Sequence, residues 1–421
     1  MSATGIHAEK ARALVTGIGV VAPTGVGARQ HWESVLAGKS GLGRITRFDP
    51  SGYPVQVAGE VPGYDAARQL PGRLVPQTDR YTHFALTAGE AALADAGVNP
   101  AALPEFEMAV VTASSSGGTE FGQHEMERLY RSGPSWVGAY QSIAWFYAAS
   151  AGQLSIRHGL RGPCGVLCCE QAGGLDALGQ ARRLLTSGSR MVLAGGTDAS
   201  LCPYGLVAQM SAGTLATGDD PVRAYLPFDA AARGYVPGEG GAFMVVESAE
   251  SARERGARPY GELLGYAAGL DPPPKSGRPR VLAAVIRRAL TDAGLAPDRI
   301  DVVFADAIGV PADDRAEAQA ITEVFGAGRV PVTAPKTLTG RLYAGGAALD
   351  TATSLLALEH GTVPRTVGPD RRAAECEIDL VLRRPRQIAP RTALVLARGH
   401  GGFTSALVVA RIGRGQLASA Q

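Results

Sequence analysis

The stretch Ala92–Pro100 reads ALADAGVNP, and Ala289–Pro297 reads ALTDAGLAP. In each, an apolar helical pattern stops at a glycine, the residue that best tolerates the left-handed turn closing a helix, and a proline then bars continuation. Each copy runs on into an apolar segment expected as a strand, Met108–Thr112 after the first and Asp301–Ala305 after the second. Further echoes keep the same order. Gly173 and Gly174 open an expected helix ending near Gly188, and Gly345 and Gly346 sit in another ending near Gly361. Gly240-Gly241 and Gly401-Gly402 each enter an apolar run expected as a strand. Two copies with so long a period do not make a solenoid. They predict an α/β chain built from a duplicated unit, with halves over residues 1–250 and 251–421 and a joint near Ser251–Pro259.

Composition agrees with a packed enzyme-like chain. With 421 residues, 45% of them apolar, the chain is neither disordered nor in need of a metal or disulfide staple. Glycine occurs 55 times in 421, about twice its usual share of about 7%, without a collagen period; it must serve turns and close backbone approaches. The balance of 41 basic and 39 acidic residues sets up no global field for nucleic acid or an anionic membrane, so neither partner is expected. The 5 cysteines, Cys164, Cys168, Cys169, Cys202 and Cys376, show no metal spacing, and no metal or cofactor is expected. The N-terminus lacks a signal-peptide pattern, and no apolar run reaches the roughly 18 residues of a membrane span. These readings predict a cytoplasmic chain.

Met1–Lys10 reads as a loose start. Arg12–Val21 reads as a buried strand running into a glycine turn. Gly17–Ala22 fits the dinucleotide fingerprint G-x-G-x-x-A, but Pro23 breaks the required helix start and no acidic strand end follows; a structural strand is expected instead. Gly38-Lys39-Ser40 resembles a P-loop ending, but Glu33 stands where the first glycine belongs. Gly38–Arg73 is too long for a plain loop, so short elements or a partner surface are expected.

The segment Gly162–Ala177, GPCGVLCCEQAGGLDA, carries the chemistry. A strand ends in polar residues and small residues then open a helix, an elbow expected to be exposed at the sheet edge beside free helix N–H groups. A nucleophile belongs there. Gln171 cannot be one, although its amide can bind a thioester carbonyl or an enolate oxygen.

Four stretches in order, Val15–Gly25 (VTGIGVVAPTG), Pro227–Gly241 (PFDAAARGYVPGEGG), Lys336–Gly340 (KTLTG) and Gly399–Val408 (GHGGFTSALV), resemble the β-ketoacyl synthases of the thiolase superfamily over roughly Ala13–Arg411. The resemblance implies a thiolase-like fold, its duplicated α/β halves forming a five-layered α-β-α-β-α core. The departures are as informative. The family's catalytic cysteine falls on Gln171. Its two catalytic histidines fall on Asp306, in DAIGVP, and on Arg341, while the motif lysine survives as Lys336. That pattern, with Glu170–Leu178 reading EQAGGLDAL, resembles the chain-length factor, or ketosynthase β subunit, of bacterial type II aromatic polyketide synthases.

By that resemblance the chain pairs with a ketosynthase α subunit as a heterodimer and meets an acyl carrier protein and the growing polyketide. It shapes the far end of the polyketide tunnel during decarboxylative condensation of malonyl units, and forms no acyl-enzyme at Gln171. Whether it catalyses a step itself is left open. Gln171 could instead decarboxylate malonyl-acyl carrier protein to supply an acetyl primer; a free-standing ketosynthase is opposed by Gln171, Asp306 and Arg341 together. Thr119, Gly122 and Met126, spaced as one helix face, are the candidate chain-length residues. Lacking aromatic bulk, they predict a deep tunnel and a long poly-β-ketone, with ordinary interface packing as the alternative. Trp136, Trp145, Phe146 and Tyr147 form the densest aromatic cluster and are expected at the subunit interface. His400 and Phe403 are candidate pocket residues, His400 standing where the family carries an aromatic gate. Cys169, two residues before Gln171 on an expected strand, is a poor candidate for a displaced nucleophile, because no histidine occupies the family's base positions. His83 and His158 show no metal spacing. The seven arginines between Arg365 and Arg391 are either a solvated face or a docking surface for an acidic carrier protein.

Overall fold

The computed structural model describes residues 11–273 and 276–412, so the expected loose start at Met1–Lys10 lies outside the described residues. Strand β1 (Ala13–Ala22) runs straight through both early glycines; the expected glycine turn does not occur. The reason is packing. Helix α2 (Arg80–Asp95) lies so close across β1 that a side chain at Gly17 or Gly19 would strike the carbonyls of Ala92 and Ala88. The two glycines are thus a helix-docking groove in a strand, which also disposes of the dinucleotide reading. A turn at Pro23-Thr24 leads to helix α1 (Ala28–Ala37). The stretch after it holds the short paired strands Leu42–Arg44 and Val57–Gly59 and a four-residue helix Ala66–Gln69, as its length required.

The first half continues with β2 (Met108–Ala113), α3 (Thr119–Ser132), α4 (Ala149–His158), β3 (Cys164–Leu167), α5 (Gly173–Thr186), β4 (Met191–Asp198) and β5 (Gly240–Ser248). The second holds β6 (Gly261–Leu270), α6 (Leu282–Ala293), β7 (Val302–Phe304), α7 (Pro311–Phe325), β8 (Pro331–Thr333), α8 (Ala344–His360), β9 (Thr392–Arg398) and β10 (Phe403–Ala410). The repeat glycines close α2 and α6 alike, Gly97 with φ 62° and Gly294 with φ 66°.

Strand order makes the duplication explicit. The first half runs β3-β2-β4-β5-β1 and the second β8-β7-β9-β10-β6, the same order element for element. In both, three parallel strands adjoin antiparallel ones. The halves meet where β1 pairs β6 through only Leu14↔Glu262 and Val15↔Gly261. A two-residue strand, Asp379–Leu380, covers the outer edge of β8, whereas among the described residues β3 has only β2 beside it and Cys164 and Gly165 are exposed.

Five layers result. α2 and α4 cover the outer face of the first half-sheet, α6 and α7 that of the second, and α5 with α8 lies between the sheets. The central layer explains the small-residue composition. From Ala344 to Leu358 every residue of α8 is buried, so the helix is enclosed all round rather than striped, and its polar Thr351, Thr353 and Ser354 bond back to the helix's own carbonyls. Alanines and glycines let α5 and α8 approach; a side chain at Gly174 would meet Ala344 and Ala348.

Candidate functional site

Gln171 lies in the short turn Glu170–Ala172 that joins β3 to α5. The elbow is not exposed, contrary to the sequence expectation: Gln171 has 0% of its surface accessible. The cause is long-range. Gly346 of α8 presses against the amide, and a Cβ there would stand 2.5 Å from Gln171 Nε2. Among the described residues neither Nε2 nor Oε1 has a hydrogen-bond partner. The preceding Glu170 takes φ 49°, a strained value for a residue with a side chain. Its carboxylate accepts from the His400 amide at 2.9 Å, which holds the 399–403 loop over the elbow. Burial raises the Glu170 carboxyl above its ordinary value against the opposing pull of Arg341.

Cys169 does not share a strand face with Gln171, because β3 ends at Leu167. Burial, with Asp176 beside it, pushes its thiol up to about 12, so the thiolate needed for nucleophilic work is scarce.

Asp306 and Arg341, which the resemblance aligns with the family's two histidines, form an ion pair, Arg341 Nη1 to Asp306 Oδ2 at 3.1 Å, with both side chains buried. The guanidinium also donates to the carbonyls of Asp306 at 3.0 Å and Arg398 at 2.8 Å, and lies 5.5 Å from the Tyr235 ring centre. Arg398, at the end of β9, reaches Asp306 and Glu317, each at 3.5 Å. Glu317 in turn accepts from the amides of Asp306 at 2.7 Å and Ala307 at 2.9 Å. Burial pushes the Asp306 carboxyl up, but Arg341, Lys336 and Arg398 pull harder, and it ends below its ordinary value. Arg341 ends well above its own despite burial, because Asp306 and Glu170 hold its charge. Neither group is available as a proton carrier near neutral pH. Lys336 pairs with Asp350 of α8 at 2.6 Å, both buried. Arg398, Glu317 and Asp350 escaped sequence reasoning; Arg398 and Asp350 stand out as charges within largely apolar runs, whereas Glu317 follows Asp313, Asp314 and Arg315 and carries no such signal.

Thr119, Gly122 and Met126 lie on α3 as the spacing required, with Gly122 buried and the others half-buried. Gly122 does not open free space. Trp145 fills it, its ring 2.7 Å from where a Cβ would stand. Trp145 is thus partly an internal packing residue of this chain. Trp136 at 65% and Phe146 at 60% are freely exposed, and Tyr147 is 38% exposed. Aromatics exposed as a cluster, rather than singly, mark a surface suited to a partner. Asp198, also missed, connects this region to the elbow. It accepts from Ser114 Oγ at 2.8 Å, from the Ser115 and Ser116 amides, and from the Ala344 amide that opens α8.

His400 and Phe403 are exposed at the elbow's rim. His83 and His158 are packed, and burial lowers both rings below their ordinary value. Of the arginine run, Arg386 pairs with Asp379, Arg372 donates to the Cys376 carbonyl, and Arg365 covers Gly38, while Arg371, Arg383, Arg384 and Arg391 face outward. Among the described residues no cluster of His, Cys, Asp and Glu could hold a metal ion, and no helix is long and apolar enough to cross a membrane.

Comparison with known proteins places this geometry. Residues 10–252 match the β-ketoacyl synthase N-terminal domain and residues 260–370 the C-terminal domain. The chain is 59% identical over 402 residues, 95% of its length and 98% of the relative's, to the tetracenomycin polyketide synthase ketoacyl synthase beta subunit of Streptomyces glaucescens. It is 53% identical to the actinorhodin polyketide putative beta-ketoacyl synthase 2 of Streptomyces coelicolor, over 94% and 98% of the two chains. Among solved structures, the ishigamide ketosynthase/chain length factor superposes with a TM-score of 0.88 at 27% identity, covering 96% of this chain and all of that one. A type II ketosynthase bound to the hexaketide, in complex with its acyl-carrier protein, matches with a TM-score of 0.86 at 26% identity and the same coverage. By sequence and by fold, this chain belongs to the β-ketoacyl synthase family, in its ketosynthase β subunit branch.

Proposed function

We propose that this chain is the non-acylating, chain-length-determining subunit of a type II polyketide ketosynthase heterodimer, acting in aromatic, antibiotic-type polyketide biosynthesis. The partner α subunit carries out decarboxylative condensation of malonyl-acyl carrier protein units, and this chain shapes the tunnel that receives the polyketide. One observation supports the reading: Gln171 is a fully buried amide and Asp306 and Arg341 form a buried ion pair, at the three positions that by resemblance correspond to the family's nucleophile and two histidines. Such a pair can stabilise packing but cannot take or give a proton near pH 7. The exposed aromatics Trp136, Phe146 and Tyr147 and the open edge of β3 fit a face covered by the α subunit. The chain works in the cytoplasm, as two halves divided at residues 250 and 251.

Thr119 and Met126 on α3 are our candidate length-setting contacts, and Gly122 acts through the room it gives Trp145. The test is Thr119→Phe in the co-expressed heterodimer, with polyketide size read by mass spectrometry. A shorter principal product is expected; unchanged size at normal yield defeats the gating role. Gly122→Trp is a poorer probe, because its side chain would meet Trp145 first.

A second reading rests on the Gln171 amide, buried with both ends unbonded within the chain. An amide donor so placed suits the enolate formed when malonyl-acyl carrier protein loses carbon dioxide, which would supply an acetyl primer. Gln171→Ala then abolishes acetyl-thioester formation by the heterodimer. Unchanged priming leaves a purely shaping role.

A further inference from the structure

We propose that Asp79 is a positioning residue for chain length: it pins α3 to the core at the end that carries Thr119 and Gly122. The inference rests on the proposed role of α3 as the helix that meets the growing chain.

α3 begins without a cap of its own. Gly118 precedes it and offers no side chain, and the approach of Ala144 leaves no room for one. The missing acceptor comes from another element. Asp79 sits just before α2, and one of its oxygens accepts from the Tyr81 amide at 3.1 Å, the ordinary cap for that helix. The other accepts from the Phe121 amide in the first turn of α3, at 2.8 Å across 42 residues of sequence. One buried carboxylate thus caps two helices.

The two helices differ in how firmly they are held. α2 is embedded, with ten buried residues. α3 has only Gly122 and Glu125 buried and rests on the surface. Its position therefore depends on a few directed contacts: Asp79 to the Phe121 amide at its start, and further along Gln123 accepting from the Tyr204 amide at 2.9 Å and Glu125 accepting from the Gly138 amide. The same turn of α2 also holds the facing wall: the Tyr81 hydroxyl donates to the Phe146 carbonyl at 2.6 Å. The Gly118 amide donates to the Trp145 carbonyl at 3.1 Å, and Trp145 packs on Gly122. Asp79 and Tyr81 thus set the separation of α3 from the 144–147 segment. Besides these amides, the charges facing Asp79 are Glu120 and Arg47, which pair with each other.

The experiment uses the heterodimer with its α subunit and carrier protein, comparing Asp79→Asn, Tyr81→Phe, Ser248→Ala and Thr119→Phe. Ser248→Ala removes a cap elsewhere, from the helix starting at Ala249, and controls for lost stability alone. Asp79→Asn offers an N–H₂ where one of two acceptors is required, so α3 gains freedom to shift. The ratio of principal to off-length polyketides should fall about five-fold, the population change that a lost cap of ordinary strength permits. Tyr81→Phe should move the ratio in the same direction, and Ser248→Ala should leave it unchanged. A constant ratio in Asp79→Asn and Tyr81→Phe, while Thr119→Phe shortens the product, overturns the positioning role and spares the reading of α3. A constant ratio in all variants, Thr119→Phe included, overturns both. If Asp79→Asn yields no heterodimer, Tyr81→Phe decides alone.

Discussion

Arg341→Leu tests whether the buried Asp306–Arg341 pair is a structural ion pair. The substitution deletes a guanidinium that pairs with Asp306 at 3.1 Å and donates to two carbonyls at 3.0 and 2.8 Å. Left behind are a fully buried carboxylate and two main-chain acceptors without their donors. Breaking a buried pair by removing one partner costs about 3–5 kcal/mol. Arg398 remains 3.5 Å from the same Asp306 oxygen, so the loss should fall at the lower end, about 3 kcal/mol. An unfolding entropy of about 2.1 cal/mol/K per residue, applied to 421 residues, converts this to a fall of roughly 3–4 °C in Tm. The assay is thermal denaturation of the purified heterodimer at one scan rate, for Arg341→Leu, Asp306→Leu and the double variant. Because each single change strands a charge and the double change strands less, the double variant should lose about 2 kcal/mol less than the sum of the singles. Additive losses, or an Arg341→Leu protein as stable as the parent, refute the reasoning. Polyketide size should stay unchanged throughout.

Two other expectations concern titratable groups. His31 on α1 is fully buried between the hydroxyls of Thr24 and Thr353, and burial lowers its pKa to about 4. The unfolded chain takes up that proton first, so stability present above pH 6.5 is lost as pH falls toward 4, about 2 kcal/mol of it by pH 5; urea titrations at pH 7 and 5 should show a shallower pH dependence for His31→Gln, and an equal one excludes this histidine as the cause. Burial raises the thiols of Cys164, Cys168 and Cys169, so incubation with acyl-carrier-protein thioesters should acylate none of them at pH 7, and a labelled peptide from this chain by mass spectrometry would contradict the non-acylating assignment.

Much of the architecture is legible locally because its signals are local. A glycine followed by proline ends a helix wherever it occurs, so the matched ends of α2 and α6 and the strands after them could be read from Ala92–Pro100 and Ala289–Pro297. Residue identity at the nucleophile and histidine positions is likewise a property of the sequence: glutamine cannot attack a thioester in any fold. The glycine pair of β1 was harder. Its spacing imitates a cofactor turn, and only the helix laid across it explains why side chains are excluded.

The tertiary structure decided what depends on partners distant in sequence. That Gln171 is buried follows from Gly346 on a helix of the other half, and burial is what leaves its amide without solvent. That Asp306 and Arg341 neutralise one another, with Arg398 and Glu317 completing the set, follows from β7, β9, α7 and the approach to α8 converging on one corner. That Gly122 is a seat for Trp145, and that Asp79 caps a helix it precedes by 40 residues of chain from Asp79 to Thr119, could not be read from helical spacing. Spacing gives the face of one helix, while the occupant of that face is fixed by a second element and by the directed hydrogen bonds that hold the two together.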